Sequence, residues 1–299
     1  CADGSLREVG YDAQGQRYTS LAKELLDVAP AAANATPRTP ITPDDVLLVS
    51  GGGRGITPLC LAATAGRVGG GTYILLGRSK LADDPAWAVG KAAGKPLKDA
   101  ALAHMKAEFK SGAGPKPTPR ALESLMNKVV GARDVHESMG LISARGGRPI
   151  YVACDASDAT AVKAAMKSIR DEQGLKVTGI FHAAGIVRDK AIENKKGDDF
   201  DMVYGVKISG LTNLLLALSP SERSELRHLI VFSSLAGFHG NTGQADYAMA
   251  NDALSKMVHR FGAAHPRCSG RALCFGPWDG GMVTPELKKH FLSQGVQII

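Results

Sequence analysis

Six short runs along the chain are apolar at consecutive positions, not alternate ones: 46–50 (VLLVS), 72–76 (TYILL), 149–153 (PIYVA), 177–182 (VTGIFH), 228–233 (HLIVFS) and 270–275. Continuous apolar strands of this length are buried on both faces. Between them lie stretches with apolar residues at helical spacing, over 57–66, 157–172, 199–218 and 245–264; in the last, Ala250, Ala253, Leu254, Met257 and Phe261 fall on one side. Strands alternating with helices predict an α/β fold, a doubly wound parallel sheet of the Rossmann type covered on each side.

One segment breaks the rhythm. From about 80 to 145 the chain spends far more residues than one crossover helix needs, in two helical patterns around the break "SGAGPKPTP". The expectation is an inserted helical arm after the second strand, packed outside the sheet, contributing no catalytic group and dispensable for cofactor affinity. Upstream, "APAAANATPRTPITP" (29–43) has the composition of a linker. The division expected is therefore a tail and linker over 1–43 and a main domain over 44–299. The first residue is Cys1 and the chain stops on "GVQII", where a strand would be starting. Both ends suggest a piece of a longer polypeptide.

Composition narrows the class. With 44% apolar and 22% charged residues the 299-residue chain can bury a core. No apolar run approaches the roughly 20 residues of a membrane span, and no signal-peptide layout is present, so the chain reads as cytoplasmic with no membrane partner. Its five cysteines, Cys1, Cys60, Cys154, Cys268 and Cys274, show no zinc-ligand spacing and read as buried thiols; the eight histidines form no metal constellation. The net charge of +7 suits an acidic partner, but the basic residues are dispersed, which argues against nucleic acid.

The chemistry begins where the first strand runs into Ser50-Gly51-Gly52-Gly53-Arg54-Gly55-Ile56. A strand, a glycine-rich turn and a helix make a phosphate cradle: glycine allows close approach of the backbone, and the free N–H groups of the helix start attract negative charge. The spacing Gly51-x-x-x-Gly55-Ile56 differs from GxGxxG and ends on Thr57 where glycine is usual, which puts tight packing at the helix start in question. Ser234 follows the fifth strand, Tyr247 comes 13 residues later, and Asn251 stands one helical turn beyond Tyr247. Taken singly, a serine there is more often a helix cap and such a tyrosine a packing residue. Arg78, after "LLG" with no carboxylate beside it, favours a phosphorylated ribose and so NADPH over NADH, the alternative being a merely exposed arginine.

Four stretches carry a family resemblance: "SGGGRGIT", "GRS" (77–79), "FHAAG" (181–185) and "VFSSLAGFHGNTGQADYAMAN" (231–251), together with Lys207. Over about 44–295 the chain resembles the ketoreductase domains of polyketide and fatty-acid synthases. The long insertion and the ending "GPWDGGMVTPELKKHF" are most similar to polyunsaturated fatty acid synthases. The resemblance implies NADPH-dependent reduction of a 3-oxoacyl chain on an acyl carrier protein, with other synthase domains as neighbours. It implies that Tyr247 donates the proton, Ser234 binds the carbonyl, Lys207 lowers the tyrosine pKa and holds the nicotinamide ribose, and Asn251 relays protons. The cofactor positions it implies are Gly51, Arg54, Gly55, Ile56, Arg78, Ser79, Asp155, Ala156, Ala183, Ala184, Gly185 and Lys207. For Asp155, a role as helix N-cap, its own or that of Ser157, competes with contact to the adenine. His182 reads as structural. On the substrate side the resemblance places Asp189 and Trp278. The stretch Val187-Arg188-Asp189 keeps only the second aspartate of a Leu-Asp-Asp pattern, and His239 stands where makers of the opposite alcohol carry tryptophan, so the implied product is (3R). A free-standing dehydrogenase of a soluble ketone and an inactive reductase-like structural module remain as alternatives. Residues 5–26 resemble the end of a cofactor-free companion subdomain.

Overall fold

A computed structural model of the chain describes residues 10–11, 14–18, 39–279, 285–293 and 298. The chain divides into two compact units, Cys1–Arg38 and Thr39–Ile299. In the first, Gly10–Tyr11 pairs antiparallel with Arg17–Tyr18. Most of the expected linker, most of the expected companion remnant and all of the ending "GVQII" except Ile298 lie outside the described residues.

The second unit is built on six strands: β1 (Val46–Ser50), β2 (Thr72–Gly77), β3 (Arg148–Ala153), β4 (Gly179–His182), β5 (His228–Ser234) and β6 (Ser269–Phe275). All pair in parallel, in the order β3-β2-β1-β4-β5-β6. This is the doubly wound order, and it reverses between β1 and β4, where ligands bind beyond the carboxyl ends of the strands. The register puts Ser50, the last residue of β1, beside both Leu76 and His182.

The strand pleat sorts the apolar residues into two cores. On one face Leu48, Ile74, Ile180, Leu229 and Val231 pack against α4 (Ala159–Asp171), α6 (Gly210–Ala217) and α9 (Ala245–Ala264) through Val162, Met166, Leu211, Leu214, Leu254 and Val258. On the other, Leu47, Val49, Tyr73, Leu75, Phe181 and Phe232 meet Leu61, Ala62 and Ala65 of α1 (Thr57–Val68). Thr57 is itself buried, so the helix start accommodates a side chain where glycine is usual.

The arm differs from its expectation. It forms α2 (Lys95–Lys110) and a 25-residue α3 (Pro119–Ser143). The first half of α3 buries Leu122 and Val129 in two small clusters with Met105, Ala101, Leu97 and Ala88. The second half carries Met139 and Ile142 into the sheet's own core, and Ile142 is fully buried there. This half is thus a crossover helix of the sheet and does not lie outside it. Arg133 clips the helix in place, donating to both carboxylate oxygens of Asp84 and to the carbonyls of Ala88 and Lys91.

The expected helix over 199–218 is interrupted. α5 (Gly197–Tyr204) runs into a π-turn at Gly205–Ser209, closed by Gly210 N–H donating to the Gly205 carbonyl five residues back, before α6 continues. Among the described cysteines, Cys154 and Cys268 are buried and Cys60 half-buried, but Cys274 is exposed: it takes an outward position on β6, the edge strand. No helix among the described residues is long and apolar enough to cross a membrane.

Candidate active site

Burial of β1 forces its polar end, Ser50 and the glycines, out at the carboxyl edge of the sheet. Gly51 has a φ of 76°, and a Cβ on it would stand 2.6 Å from the Ala184 nitrogen and 2.8 Å from the Ala183 carbonyl carbon. Only glycine closes the turn this tightly on the strand beside it. Ala183 donates its N–H to the Ser50 carbonyl, which continues the sheet pairing into "AAG". The resulting backbone cradle at the reversal point, walled by small residues, fits the pyrophosphate and ribose of a dinucleotide.

Beyond α7 (Pro220–Ser224), α8 (Leu235–His239) and α9 carry most of the candidate side chains. Ser234 caps α8, accepting from Ala236 N–H at 3.1 Å. At Gly237 the short helix lies so close to α9 that a Cβ would come within 2.8 Å of the Asp252 nitrogen, and this contact sets Ser234 against Tyr247. Burial raises the Tyr247 phenol above its ordinary pKa; the Ser234 and Asn251 side chains oppose that rise, and the charge of Asp189 adds to it. The phenol is therefore neutral at physiological pH and holds a proton to give. Asn251 is fully buried; its amide N–H donates to the Tyr247 carbonyl, while its Oδ1 has no partner among the described residues and can accept from water or substrate.

Lys207 sits in the π-turn, 2% exposed, with its Nζ 5.4 Å from the centre of the Tyr247 ring and donating to the Phe232 carbonyl at 3.1 Å. Burial without a carboxylate lowers its pKa to about 8. An ammonium so placed favours a phenolate on Tyr247. Lys207, Ser234, Tyr247 and Asn251 are thus gathered in one place, which can hydrogen-bond a carbonyl oxygen and protonate the alkoxide made from it.

His182 and Ser50 were not legible as a pair. The Ser50 hydroxyl lies 2.6 Å from His182 Nδ1, and His182 Nε2 lies 2.8 Å from the Lys207 carbonyl. With Nε2–H donating to the carbonyl and Nδ1 accepting from the hydroxyl, one buried imidazole ties the glycine turn to the π-turn. Burial first, then the nearby Lys207 charge, drive its pKa down to about 3. Below about pH 6.5 the unfolded chain binds a proton that the folded chain refuses, so stability falls with decreasing pH, by about 1.4 kcal/mol per unit until about pH 3. His182→Gln is expected to flatten this loss between pH 6.5 and 4.5 in denaturant titrations; an unchanged pH slope would remove His182 as its cause.

The other expected positions divide. Arg54 and Ser79 face a common cleft, whereas Arg78 is exposed and does not line it. Ile56 stands at the N-cap position just before α1 and packs on the core beside Leu61. Asp155 caps nothing: its Oδ1 accepts from the N–H and hydroxyl of Ser157, and the cap of α4 is Asp158, which accepts from Thr160 and Ala161. Asn213 of α6 holds the following loop by donating to the carbonyls of Ala156 and Ser157. Asp189 accepts from Gln244 just before α9, next to the site. The Trp278 ring lies edge-on to Phe275 at 5.3 Å, the end of an aromatic row through Phe232 and Phe181, and the structure does not join it to the four gathered residues. Residues 280–284 of the "GPWDGGMVTPELKKHF" stretch lie outside the described residues.

Comparison with known proteins decides the family. The KR domain model matches residues 46–280, most of the chain. The chain belongs to the KR domain family. A polyunsaturated fatty acid synthase polypeptide of Thraustochytrium sp. is 49% identical over the whole chain, which spans 10% of that protein's length. Polyketide synthase PksL of Bacillus subtilis is 37% identical over 46% of the chain and 3% of its own length. Among solved structures, a ketoreductase domain from the bacillaene assembly line superposes with a TM-score of 0.66 at 25% identity, over 97% of this chain and 56% of that one. NAD+-bound xylitol dehydrogenase shares the fold, with a TM-score of 0.58 at 16% identity, over 84% of this chain and 75% of that one. A KR domain of this fold is built to take a nicotinamide cofactor, and the cradle at Gly51 fits one.

Proposed function

We propose that this chain is the NADPH-dependent ketoreductase of a multidomain synthase of the polyunsaturated fatty acid type, reducing a 3-oxoacyl thioester on an acyl carrier protein to the (3R)-hydroxyacyl thioester. The observation that carries this reading is the gathering of Lys207, Ser234, Tyr247 and Asn251 beside the glycine cradle. The cofactor supplies a hydride to the carbonyl carbon when bound. Gly51, Gly55 and the "AAG" backbone would hold its phosphates and ribose, Asp155 and Ala156 the adenine end, and Arg54, Arg78 and Ser79 its extra phosphate. Ser234 binds the carbonyl oxygen, Tyr247 gives its proton to the oxygen as negative charge develops there, and the Lys207 ammonium stabilises the phenolate left behind. Asn251 Oδ1, buried and unpartnered, holds the water that returns the proton.

The loop bearing Asp189 is tied to the start of α9 by Gln244 and by Lys190 N–H donating to the Gly243 carbonyl. It closes one side of the cleft, so the acyl chain enters from the other and presents one face to the hydride; Trp278 is assigned to the same substrate side. A difference of about 2.7 kcal/mol between two transition states gives roughly a hundredfold preference, which one blocked entrance supplies. The acidic carrier domain suits the net charge of +7, and tethering supplies most of the encounter. The test is NADPH oxidation with carrier-bound 3-oxoacyl substrates, followed by chiral chromatography of the released acid. The expected result is consumption of NADPH with mainly the 3R alcohol. Absence of turnover would favour a structural module, turnover only on soluble ketones a free-standing dehydrogenase, and mainly the 3S alcohol would overturn the role given to Asp189.

A further inference from the structure

A cleft of about 570 Å³ opens between the glycine turn and the arm, with Arg54 and Ser79 on one side and Arg120, Ser124, Asn127 and Lys128 of α3 on the other. The four α3 residues recur at helical spacing and make one stripe of that helix. The opposite stripe, Leu122 and Val129, is buried in the small clusters under the arm, so packing decides which side of α3 faces the cleft. The stripe ends at Gly131, where a Cβ would lie 3.6 Å from the Arg54 guanidinium.

α3 also supports the glycine turn directly. Ser138 donates its hydroxyl to the Gly53 carbonyl at 3.0 Å, and the Val135 side chain lies 2.9 Å from where a Gly53 Cβ would stand. The distance between the two walls is therefore held by packing and a hydrogen bond. Three cations line the cleft against one carboxylate, Glu123, and among the described residues Arg54, Arg120 and Lys128 form no ion pair. Unpaired cations that converge on a rigid cleft attract an anion.

We infer that the first half of α3 is a wall of the cofactor site, with Arg120, Asn127 and Lys128 binding the 2′-phosphate of NADPH opposite Arg54 and Ser79. This rests on the NADPH reading above and extends it: a segment inserted in the crossover sets the cofactor preference. Ser79 follows the end of β2, the place at which a doubly wound fold meets the adenosine ribose, so the phosphate on that ribose is the anion within reach.

The test is equilibrium binding to the full chain, by calorimetry, of 2′,5′-ADP against 5′-AMP and of NADPH against NADH. Arg120→Ala combined with Lys128→Ala is expected to weaken 2′,5′-ADP and NADPH by about tenfold or more, since each lost charge-assisted contact is large on this scale, and to leave 5′-AMP and NADH within about twofold. Glu123→Gln is expected to tighten both 2′-phosphorylated ligands, 2′,5′-ADP and NADPH. All three side chains are exposed, and circular dichroism checks that the variants fold. Unchanged 2′,5′-ADP affinity in the double variant, with a loss in Arg54→Ala or Arg78→Ala, would overturn the inference and leave the NADPH reading standing. Equal affinity of the unaltered chain for 2′,5′-ADP and 5′-AMP would overturn both.

Discussion

Tyr247→Phe is expected to lower turnover by about 10² or more while cofactor affinity stays within a factor of about two. The substitution removes one oxygen and keeps the ring, which packs from α9 onto the core and lies under the Lys207 ammonium at 5.4 Å. On the proposed mechanism, what is lost is the proton donor alone. Because burial holds the phenol above its ordinary pKa, the unaltered enzyme carries that proton throughout the physiological range. Its kcat/KM is expected to fall as pH rises through about 8, where Lys207 gives up its charge and ceases to favour the phenolate. Stopped-flow turnover and cofactor titration of the same preparations separate the two effects. Near-normal turnover in the phenylalanine variant would move the proton donor elsewhere, to a water held by Asn251.

Lys207→Met is expected to abolish measurable turnover and to stabilise the fold. The folded lysine has a pKa of about 8 against an unfolded value near 10.4. Between those values the unfolded chain holds a proton that the folded chain has released, so stability rises with pH across that window, and at pH 7 the buried ammonium costs about 3 kcal/mol. Methionine of similar length removes that cost and leaves the Phe232 carbonyl without its donor, a loss of about 1 kcal/mol. The net expectation is about 2 kcal/mol of added stability at pH 7, fading as pH climbs from 8 to about 10.4. Denaturant titrations at pH 7 and pH 10 measure it. A variant destabilised equally at both would show that the lysine is held by compensating contacts and not strained by its burial.

The sheet was legible because its strands are buried on both faces, and such runs stand out whatever surrounds them. α9 was legible because its core residues Ala250, Leu254 and Val258 keep one helical stripe. α3 was legible as a helix after the "SGAGPKPTP" break, but its packing was not, because it changes partners halfway. Leu122 and Val129 serve the arm, Met139 and Ile142 serve the sheet, and no single stripe runs through the 25 residues. Ser234, Tyr247 and Asn251 could be named from their spacing and resemblance, since each lies at a strand end or on a regular helix; Lys207, in the π-turn, was named from the resemblance alone. The tie from Ser50 through His182 to Lys207 could not, since it joins residues 132 and 25 positions apart through side chains that only the folded register brings together. Neither Asp155 nor Ser157, the two expected cap residues, caps α4; Asp158 does, and which of these neighbouring side chains takes the position depends on backbone angles that composition does not encode.

The π-turn at Gly205–Ser209 has a consequence for how Lys207 is specified. Each residue of an α-helix advances the chain by about 100° around its axis, so one residue accommodated in a wider turn shifts everything after it by that angle. α5 and α6 are therefore out of phase with each other. The phase offset lets Leu211 and Leu214 face the sheet while Lys207, a few residues earlier, points its ammonium at Phe232 and Tyr247. Removing one residue other than Lys207 from this turn would leave the lysine in the chain but change its phase relative to the flanking helices, and would aim either the leucines or the lysine at the wrong neighbour. The position of the ammonium is thus written in the count of residues between Val203 and Leu211 as much as in the identity of the lysine, which makes this stretch intolerant of length change even where it tolerates substitution.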